Sequence, residues 1–512
     1  MTTSLSFPDP SPGTRNSHGF HEPSAGQPAP RSVPASPSQA TALVELAAAA
    51  ELWHAADGAA YATIEVENWR EHWRLRSRPF AQWLAARHFA TCGGAPHTAA
   101  LADALGVLEA RARFDGAERR VFSRVAGHEE QIYLDLGDQQ WRAVAIGPGR
   151  WSVVERPPVR FRRARAVLAL PEPKAGRSLN LLRRFVNVAD DDWALVAAWL
   201  VAALRPTGPY PILFLHGEQG SGKSTQARVL RSLIDPNSAP LRAGPREAHD
   251  LALAANNSWV IALDNLSRLP GWLSDALCRL STGGGFATRT LYENEEETIF
   301  DAQRPVLVTG IEDLASRSDL LDRALVVHLP SIAPDRRRAE SDFWREFHEC
   351  RPWLVGALVE AVATALARLP DVRLPKLPRL ADFAQWATAA EPALGCENGE
   401  FAQLYARHKE TVDLFAIESS PISLPLIKMA RVGPWRGTAS QLLAALEQKA
   451  LAAERRRSDW PRGLAQLSGL LRRLAPILRT FNILVEFTRG DGSDRQRMIN
   501  VRHASDAAVK AP

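Results

Sequence analysis

The sequence predicts an α/β fold whose centre is a parallel sheet of short apolar strands. The runs 211–215, 259–263 and 305–308 are almost wholly apolar. Strands that are buried on both faces, as in parallel sheets, have this composition. After the first run, the segment 225–235 places its apolar residues at helical spacing and ends before Pro236. A strand followed by a helix and another buried strand is typical of a parallel sheet.

A glycine-rich loop follows the first apolar run and is the strongest functional signal in the sequence. It matches the pattern G-x-x-x-x-G-K-[ST] with the residues Gly217, Glu218, Gln219, Gly220, Ser221, Gly222, Lys223, Ser224 and Thr225. Glycines let such a loop close around phosphates, and the following helix adds the positive end of its dipole. Lys223 is predicted to bind the β- and γ-phosphates of ATP, and Ser224 to bind Mg²⁺. The alternative is a glycine-rich turn that binds no nucleotide.

Two polar residues end the later apolar runs and are predicted to lie at the same sheet edge as the loop. Asp264 follows the run 259–263 in a Walker B arrangement. Its carboxylate is expected to hold Mg²⁺ directly or through water. Thr309 follows the run 305–308, and its hydroxyl is expected to sense the γ-phosphate or to orient the attacking water.

Arg323 stands directly before a fourth apolar run, 324–327. An arginine there is expected to stabilise charge on a γ-phosphate, either in its own subunit or across an oligomer interface. The alternative is a structural ion pair with Asp319 or Asp322.

The composition is that of a multidomain globular protein. A length of 512 residues with 46% hydrophobic content predicts about three domains with sizeable cores. The sequence has no run of eighteen apolar residues and no basic segment followed by an apolar one at its start, so we expect a cytoplasmic protein without a membrane partner. The net charge of +5 permits contact with DNA but does not establish it.

The cysteines argue against a zinc site and against a disulfide framework, because they stand far apart and form no C-x-x-C pair. We expect them to be reduced core residues. They are Cys92, Cys278, Cys350 and Cys396.

The N-terminal part divides into a tail and a separate domain. Residues 1–40 are dense in Ser, Pro and Gly, which predicts a disordered tail. Residues 41–177 mix strand and helix patterns, with amphipathic helices at 80–89 and 99–112, and predict an α+β domain of unknown role.

Two features of that domain carry alternative interpretations. Asp135 and Asp138 follow a strand and are spaced as a metal-binding pair, but ordinary turn chemistry is the favoured interpretation. The basic stretch 160–165 is either a phosphate contact or the solvated face of a linker.

The C-terminal part predicts two further units. Residues 341–430 have helical spacing throughout and predict a helical subdomain. Residues 435–503 have the order helix, helix, hairpin, which suggests a winged-helix-like domain. Its second helix carries Arg472, Arg473 and Arg479, a basic surface suited to DNA phosphates. The alternative is a domain that docks other subunits through the same helix.

The succession of motifs resembles the ATPase domain of phage and plasmid primase-helicases, the superfamily 3 helicases of the AAA+ class. The resemblance covers about residues 185 to 335, and its most specific part is the T-G-G-x-x-x-x-R-x-L-Y block. The resemblance implies a ring, often a hexamer, that hydrolyses ATP at subunit interfaces and moves DNA with a hairpin. The motifs are Gly217 to Thr225, Leu263 to Asn265, Ser281 to Tyr292, Leu307 to Gly310, and Leu321 to Arg323.

By this match Arg289 lies in the DNA-contacting hairpin, expected at 287–292 and 297–301, Thr309 takes the sensor 1 position, and Arg323 takes the arginine-finger position. Asn265 departs from the pattern, because many relatives carry an acidic residue there and an amide cannot act as a general base. Thr309 replaces a common Asn. No primase domain is recognisable, so primer synthesis is not predicted.

The sequence therefore predicts an ATP-hydrolysing DNA motor or initiator for the replication of a phage, plasmid or integrated element. DNA, other copies of the chain and replication proteins are the expected partners. A second hypothesis is an ATP-binding, DNA-binding regulator with negligible hydrolysis, which Asn265 favours. A small-molecule kinase is disfavoured by the hairpin and the basic terminal domain.

Overall fold

The computed structural model describes residues 38–267, 269–284, 286–289, 297–300, 302–310, 318–457, 459–489 and 497–504. The disordered tail predicted for residues 1–40 lies outside this set except for its last three residues. Ser38 caps the first helix by accepting a hydrogen bond from the backbone N–H of Thr41 at 3.2 Å.

The N-terminal region contains two four-stranded sheets and one parallel pair, β5 with β10. The first has the strand order β3-β2-β1-β4 and is covered by three helices, and the second is the antiparallel meander β6-β7-β8-β9. The helices predicted at 80–89 and 99–112 are confirmed, and both are longer than predicted. The elements are α1 Gln39–Leu46, β1 Ala50–His54, β2 Ala60–Val66, β3 Trp69–Arg74, α2 Arg78–Cys92, α3 Thr98–Phe114, β4 Ala117–Glu118, β5 Val121–Phe122, β6 Val125–His128, β7 Gln131–Asp135, β8 Ala143–Gly147, β9 Arg150–Val154 and β10 Arg160–Phe161.

The central region contains the parallel sheet that the apolar runs predict. Its strand order is β12-β15-β11-β16, and every pair is parallel. A separate antiparallel pair, β13 with β14, lies where the hairpin is expected, and its turn, 290–296, is outside the described residues. The elements are α4 Asp190–Ala202, β11 Ile212–His216, α5 Lys223–Ser232, α6 Ala248–Asn257, β12 Ile261–Leu266, α7 Gly271–Thr282, β13 Phe286–Arg289, β14 Glu297–Phe300, β15 Val306–Gly310, α8 Ser318–Leu321 and β16 Ala324–His328.

The C-terminal region begins with helices and ends with a small sheet of order β17-β19-β18. Pro476 lies inside α16, which continues to Thr480, so the early end that a proline permits does not occur. The elements are α9 Glu340–Arg368, α10 Ala381–Ala389, α11 Glu391–Leu394, α12 Glu400–Ser419, α13 Ser423–Val432, β17 Trp435–Thr438, α14 Ala439–Lys449, α15 Ala452–Arg456, α16 Leu464–Thr480, β18 Ile483–Arg489 and β19 Arg497–His503.

Alternation along β11 divides the interior into two cores. Leu213 and Leu215 face a core shared with α4, α5 and α9, whereas Ile212 and Phe214 face a core shared with α7, α12 and α16. Successive strand residues point to opposite faces, so one strand anchors both layers. The four-stranded sheet is therefore buried on both sides, as its apolar composition predicts.

The antiparallel meander β6 to β9 joins the first of these cores. Ile132, Leu134, Val144 and Ile146 are buried in one cluster with α4 and α9. The expected boundary near residue 177 therefore does not separate two independent cores. Sequence periodicity marks which face of a strand is apolar but not which element covers it.

A buried charge network ties this meander to the parallel sheet. Arg124, which precedes β6, donates from Nε to the Asp235 carboxylate at 3.2 Å, and Arg231 of α5 lies beside the same group. The second Asp235 oxygen accepts the backbone N–H groups of Trp259 at 2.9 Å and Val260 at 3.2 Å. Asp235, Arg124 and Arg231 are each at most 3% exposed, so their mutual pairing offsets the cost of burying the charges.

Two features of the N-terminal domain are resolved by these contacts. Asp135 Oδ1 accepts the backbone N–H of Gly137 and Asp138 Oδ1 accepts that of Arg142, both at 3.0 Å, so the favoured turn chemistry is confirmed. The two carboxylates also form ion pairs, Asp135 with Arg163 and Asp138 with Arg142. Arg163 also stacks on the Trp141 ring at 4.1 Å, so this part of the basic stretch 160–165 belongs to the fold rather than to a solvated linker.

The cysteines are free thiols, but not all are core residues as expected. Cys278 is buried, Cys350 and Cys396 are half-buried, and Cys92 is exposed at the end of α2. Cys92 occupies the last turn of that helix, where the core-facing stripe has already ended.

Among the described residues, one helix is long and apolar enough to cross a membrane by length and composition, Glu340–Asp371, and 56% of its most apolar window is buried. Its residues Leu354, Leu358 and Val362 belong to the first core. This is the pattern of a core helix.

Close packing against α9 makes Gly356 intolerant of a side chain. A Cβ at Gly356 would lie 1.9 Å from the Lys174 carbonyl oxygen, whereas one at Gly106 of α3 would meet nothing within 4 Å. We expect Gly356→Ala to destabilise the fold by about 1–3 kcal/mol through overpacking. Gly106→Ala is the matched control and should stabilise by about 0.5–1 kcal/mol. Thermal melting of both variants tests this, and equal shifts in Tm would contradict it.

Candidate functional site

The glycine-rich loop connects the end of β11 to the start of α5, at the carboxyl edge of the parallel sheet. All three of its glycines have a positive φ, which residues with a side chain rarely adopt. Gly217 has a φ of 152°, and a Cβ there would lie 2.4 Å from the Leu329 carbonyl oxygen. Gly222 has a φ of 84° and precedes Lys223, the first residue of α5. The loop therefore presents its backbone N–H groups at a helix N-terminus, which is an anion-binding arrangement.

Lys223 folds back across this loop. Its ammonium donates to the carbonyl oxygens of Gly217 and Glu218, both at 2.7 Å. Glu218, Gln219 and Gly220 are exposed, and Thr225 is half-buried. The lysine charge is thus held at the mouth of the loop, where an incoming phosphate can replace the carbonyl partners.

The Asp264 carboxylate joins the loop to the neighbouring strands. Its Oδ1 accepts the Ser224 hydroxyl at 2.9 Å and also the Thr309 hydroxyl. The Thr309 oxygen in turn accepts the backbone N–H of Asn265 at 3.0 Å. The ends of β12 and β15 and the start of α5 therefore meet at one carboxylate, as the sequence predicts for parallel strands.

Asn265 occupies an unusual backbone position. Its φ is 53°, in the left-handed region, and its side chain is exposed. Asparagine adopts this conformation more readily than most residues with a side chain. The position that is acidic in the resembled family therefore carries an amide side chain, at an irregularity within β12. The backbone N–H of Asn265 donates to the Thr309 hydroxyl.

Asn187, which sequence reasoning missed, holds the loop from outside. Its side-chain amide donates to the Ser221 carbonyl at 3.0 Å and the Pro330 carbonyl at 2.6 Å. Its backbone N–H donates to the Gln226 side chain at 3.0 Å. A lone asparagine before an acidic helix start carries no motif, so only the fold reveals this contact.

A cavity of about 370 Å³ opens beside His216, the residue before the loop. Among the groups that line it, His408 accepts the backbone N–H of Val326 on Nε2 at 3.2 Å. Burial lowers the pKa of His408 and of His216 to about 4, so both rings are neutral at pH 7. Neutral His408 therefore carries its proton on Nδ1. The polar and aromatic residues of the cavity are Asp191, Asp192, His216, His328, Arg407, His408, Thr411 and Phe415.

Asp192 adds an acceptor to this cavity. Burial, together with the neighbouring Asp191 charge, raises the pKa of its carboxyl. The cavity therefore combines an acceptor, a donor and the flat rings of His216 and Phe415, whose centroids are 6.0 Å apart.

Arg323 lies at the opposite edge of the sheet from the loop. Its backbone carbonyl accepts the N–H of Ile212, the first residue of β11, and its Nη1 donates to the Asp319 carbonyl at 2.6 Å. Five strand residues separate this edge from the loop, roughly 16 Å. The fold therefore does not bring Arg323 to the glycine-rich loop of its own chain.

The ion pair proposed as the alternative for Arg323 is also not formed. Asp322 instead binds Lys409 at 3.1 Å and Arg379 at 2.5 Å. Asp319 contacts Arg323 through its backbone oxygen and not through its carboxylate.

The residues predicted to bind DNA lie on two elements, β13 and α16. Arg289 ends β13, and its side chain is outside what is described. Arg472, Arg473 and Arg479 are exposed on α16. The Arg472 guanidinium lies over the Phe487 ring of β18 at 5.1 Å.

Two family models match the chain in sequence order. Residues 179–403 match the actinomycete integrative conjugative element replication protein, named AICE RepA. Residues 424–510 match the AICE RepA C-terminal domain. Over both segments the chain resembles a replication protein of an integrative conjugative element. The sequence predicts the replication of a phage, a plasmid or an integrated genetic element, and the matching family description names an integrated one. No curated protein matches the sequence.

Solved structures with partial likeness include two named proteins. SCCmec type IV Cch, described as an active helicase, is 12% identical and aligns over 90% of this chain and 93% of its own, with a TM-score of 0.45. The apo A form of the NrS-1 C-terminal region is 11% identical and aligns over 90% of this chain and 98% of its own, with a TM-score of 0.38.

The Thr309 hydroxyl should stabilise the fold through its two hydrogen bonds, because it is 1% exposed. We expect Thr309→Val to leave the Asn265 N–H and Asp264 without this partner, which costs about 1–3 kcal/mol. Thr309→Ser retains the hydroxyl and should lose less than half of that. Urea denaturation measures both, and a Val variant as stable as the parent would refute the contact.

Proposed function

We propose that this chain is an ATP-hydrolysing DNA motor or initiator, helicase-like in mechanism, that replicates an integrative conjugative element. The convergence of Ser224, Asp264 and Thr309 beside the phosphate loop carries the proposal. The match to replication proteins over residues 179–403 supports the biological role.

The residues of the loop are suited to bind a nucleoside triphosphate. Ser221 Oγ is buried without a hydrogen-bond partner in the described part of the chain, and the Lys223 ammonium bonds to loop carbonyls that phosphate oxygens can replace. The loop N–H groups and Lys223 would bind the phosphates. A Mg²⁺ ion would be held by Ser224 and Asp264, whose oxygens suit a hard cation, and would offset the charge of the β- and γ-phosphates.

Hydrolysis would then depend on Thr309. Its hydroxyl donates to Asp264 and accepts from Asn265, which leaves one lone pair to accept a hydrogen bond from the attacking water. The Asn265 amide cannot take the proton of that water. The amide at Asn265 therefore supports slow ATP hydrolysis. It also favours the second candidate, a regulator that binds ATP and DNA with negligible hydrolysis.

Arg323 would act across a subunit interface. Its place at the amino edge of the sheet separates it from the loop of its own chain, so a γ-phosphate within its reach belongs to another copy. This supports the oligomeric ring and the AAA+ and superfamily 3 assignment. The exposed arginines of α16, beside the pair β18 and β19, would bind DNA phosphates in a winged-helix manner. We assign such a protein to the cytoplasm.

The cavity beside His216 would hold the nucleotide base. Asp192 offers an acceptor, His408 offers its Nδ1 proton, and the ring of Phe415 offers a flat apolar face. Adenine presents a donor and an acceptor on one edge, so this set of groups suits ATP.

Steady-state ATP hydrolysis with and without single-stranded DNA tests the motor. We expect turnover that DNA stimulates, and that Lys223→Ala lowers about a hundredfold or more because transition-state charge loses its partner. Lys428→Ala, an exposed lysine of α13, is the matched control and should retain full activity. Nucleotide binding without turnover in either condition would instead favour the regulator.

Blocking the cavity tests the base pocket. Thr411 is exposed at the cavity rim. We expect Thr411→Trp to raise KM for ATP about tenfold with kcat unchanged, because the base is bound equally in the ground state and in the transition state. Ala406 is exposed on the same helix, α12, and does not line the cavity, so Ala406→Trp should leave KM unchanged. Equal KM values for the two variants would place the base elsewhere.

A further inference from the structure

We propose that helices α12 and α16 position Arg323, so that DNA held by α16 sets the rate of ATP hydrolysis in the neighbouring subunit. The inference rests on the proposed function and deepens it, because it names how the same site is regulated. DNA phosphate is the regulating ligand, and Lys409 of α12 is the positioning residue that links the two ends.

The inner face of α16 packs in the same core as α8, the helix that precedes Arg323. Four of its leucines share one buried cluster with Leu320 and Leu321 of α8, and α16 packs directly against both α8 and α12. Because a packed core transmits displacement, a shift of α16 moves α8 with it. The four leucines are Leu467, Leu471, Leu474 and Leu478.

The outer face of α16 carries the predicted DNA contacts. Arg472, Arg473 and Arg479 are exposed on the side opposite the leucines. Guanidinium groups on one helix face are suited to bind backbone phosphates. The same helix therefore has one face for DNA and one face against the element that precedes Arg323.

Helix α8 fixes the Arg323 side chain. The backbone N–H of Arg323 donates to the Leu320 carbonyl at 2.9 Å, and Nη1 donates to the Asp319 carbonyl at 2.6 Å. The carbonyl of Arg323 accepts from Ile212, at the start of the strand that leads to the phosphate loop. A movement of α8 therefore reorients the guanidinium relative to β11.

Lys409 ties α12 to the residue before Arg323. Its ammonium bonds to Asp322 Oδ1 at 3.1 Å and to the Leu321 carbonyl at 3.4 Å. Both Lys409 and Arg379 favour the charged carboxylate and hold the pKa of Asp322 below its usual range, although burial opposes them. This ion pair and the packing of α16 on α12 give a second, polar route between α16 and Arg323.

The test compares Lys409→Met with Lys409→Arg. DNA affinity is measured by fluorescence anisotropy on a labelled single-stranded oligonucleotide, and kcat and KM for ATP are measured with and without it. We expect Lys409→Met to keep DNA affinity and KM within about twofold of the parent while the DNA stimulation of kcat falls to about one. Lys409→Arg retains the ion pair and should restore stimulation, and Lys428→Met is the matched control.

Full DNA stimulation in Lys409→Met would overturn the inference. If the parent protein shows no ATP turnover, the proposed motor function is overturned instead. The coupling is then measured as the change in ATP affinity that DNA causes, and Lys409→Met should abolish that change. Thermal melting checks that each variant folds. If Lys409→Met is unfolded, Asp322→Asn, which weakens the same pair from its other side, replaces it with the same expected outcome.

Discussion

Both faces of the four-stranded parallel sheet are buried, which limits where polar residues can lie along its strands. Each strand must be apolar on both sides, so polar residues appear only where the strands end. The carboxyl ends of the strands lie at one edge of the sheet, where Asp264 and Thr309 meet the end of the glycine-rich loop. The amino ends meet at the other edge, where Arg323 is bound to β11. Sheet polarity thus places Arg323 and the group around Asp264 at opposite edges of the sheet.

The same constraint explains why the meander β6 to β9 and the C-terminal helices share their cores with this sheet. One sheet face needs a cover, which α4, α9 and the meander β6 to β9 supply together. The other face is covered by α7, α12, α13 and α16. The buried Asp235 network adds a polar tie between the meander and the start of β12. Because unpaired buried charge is costly, such a tie fixes the orientation of the two sheets.

Shared cores have a functional consequence for a DNA-dependent ATPase of the kind proposed. A basic helix on a flexible linker can bind DNA without moving any other part of the chain. Helix α16, in contrast, is packed against α8 and α12. Its exposed arginines and its buried leucines are separated only by the width of one helix. Asn265 cannot act as a general base, so in such an ATPase the rate of hydrolysis would depend strongly on the placement of the other groups. A movement of those groups would then change the rate greatly.

The sequence alone determined the glycine-rich loop, the strands before and after it and the place of Asp264 near a strand end, because glycine spacing and apolar runs report local backbone requirements. It also determined the helices at 80–89 and 99–112 and the turn role of Asp135 and Asp138. The ion pairs of these carboxylates with Arg163 and Arg142 were decided by the fold. Tertiary structure decided the rest. Asn187, Asp192 and His408 carry no motif, and they approach the loop only because distant segments pack there. Local patterns state which face is apolar, and only the fold states what covers it.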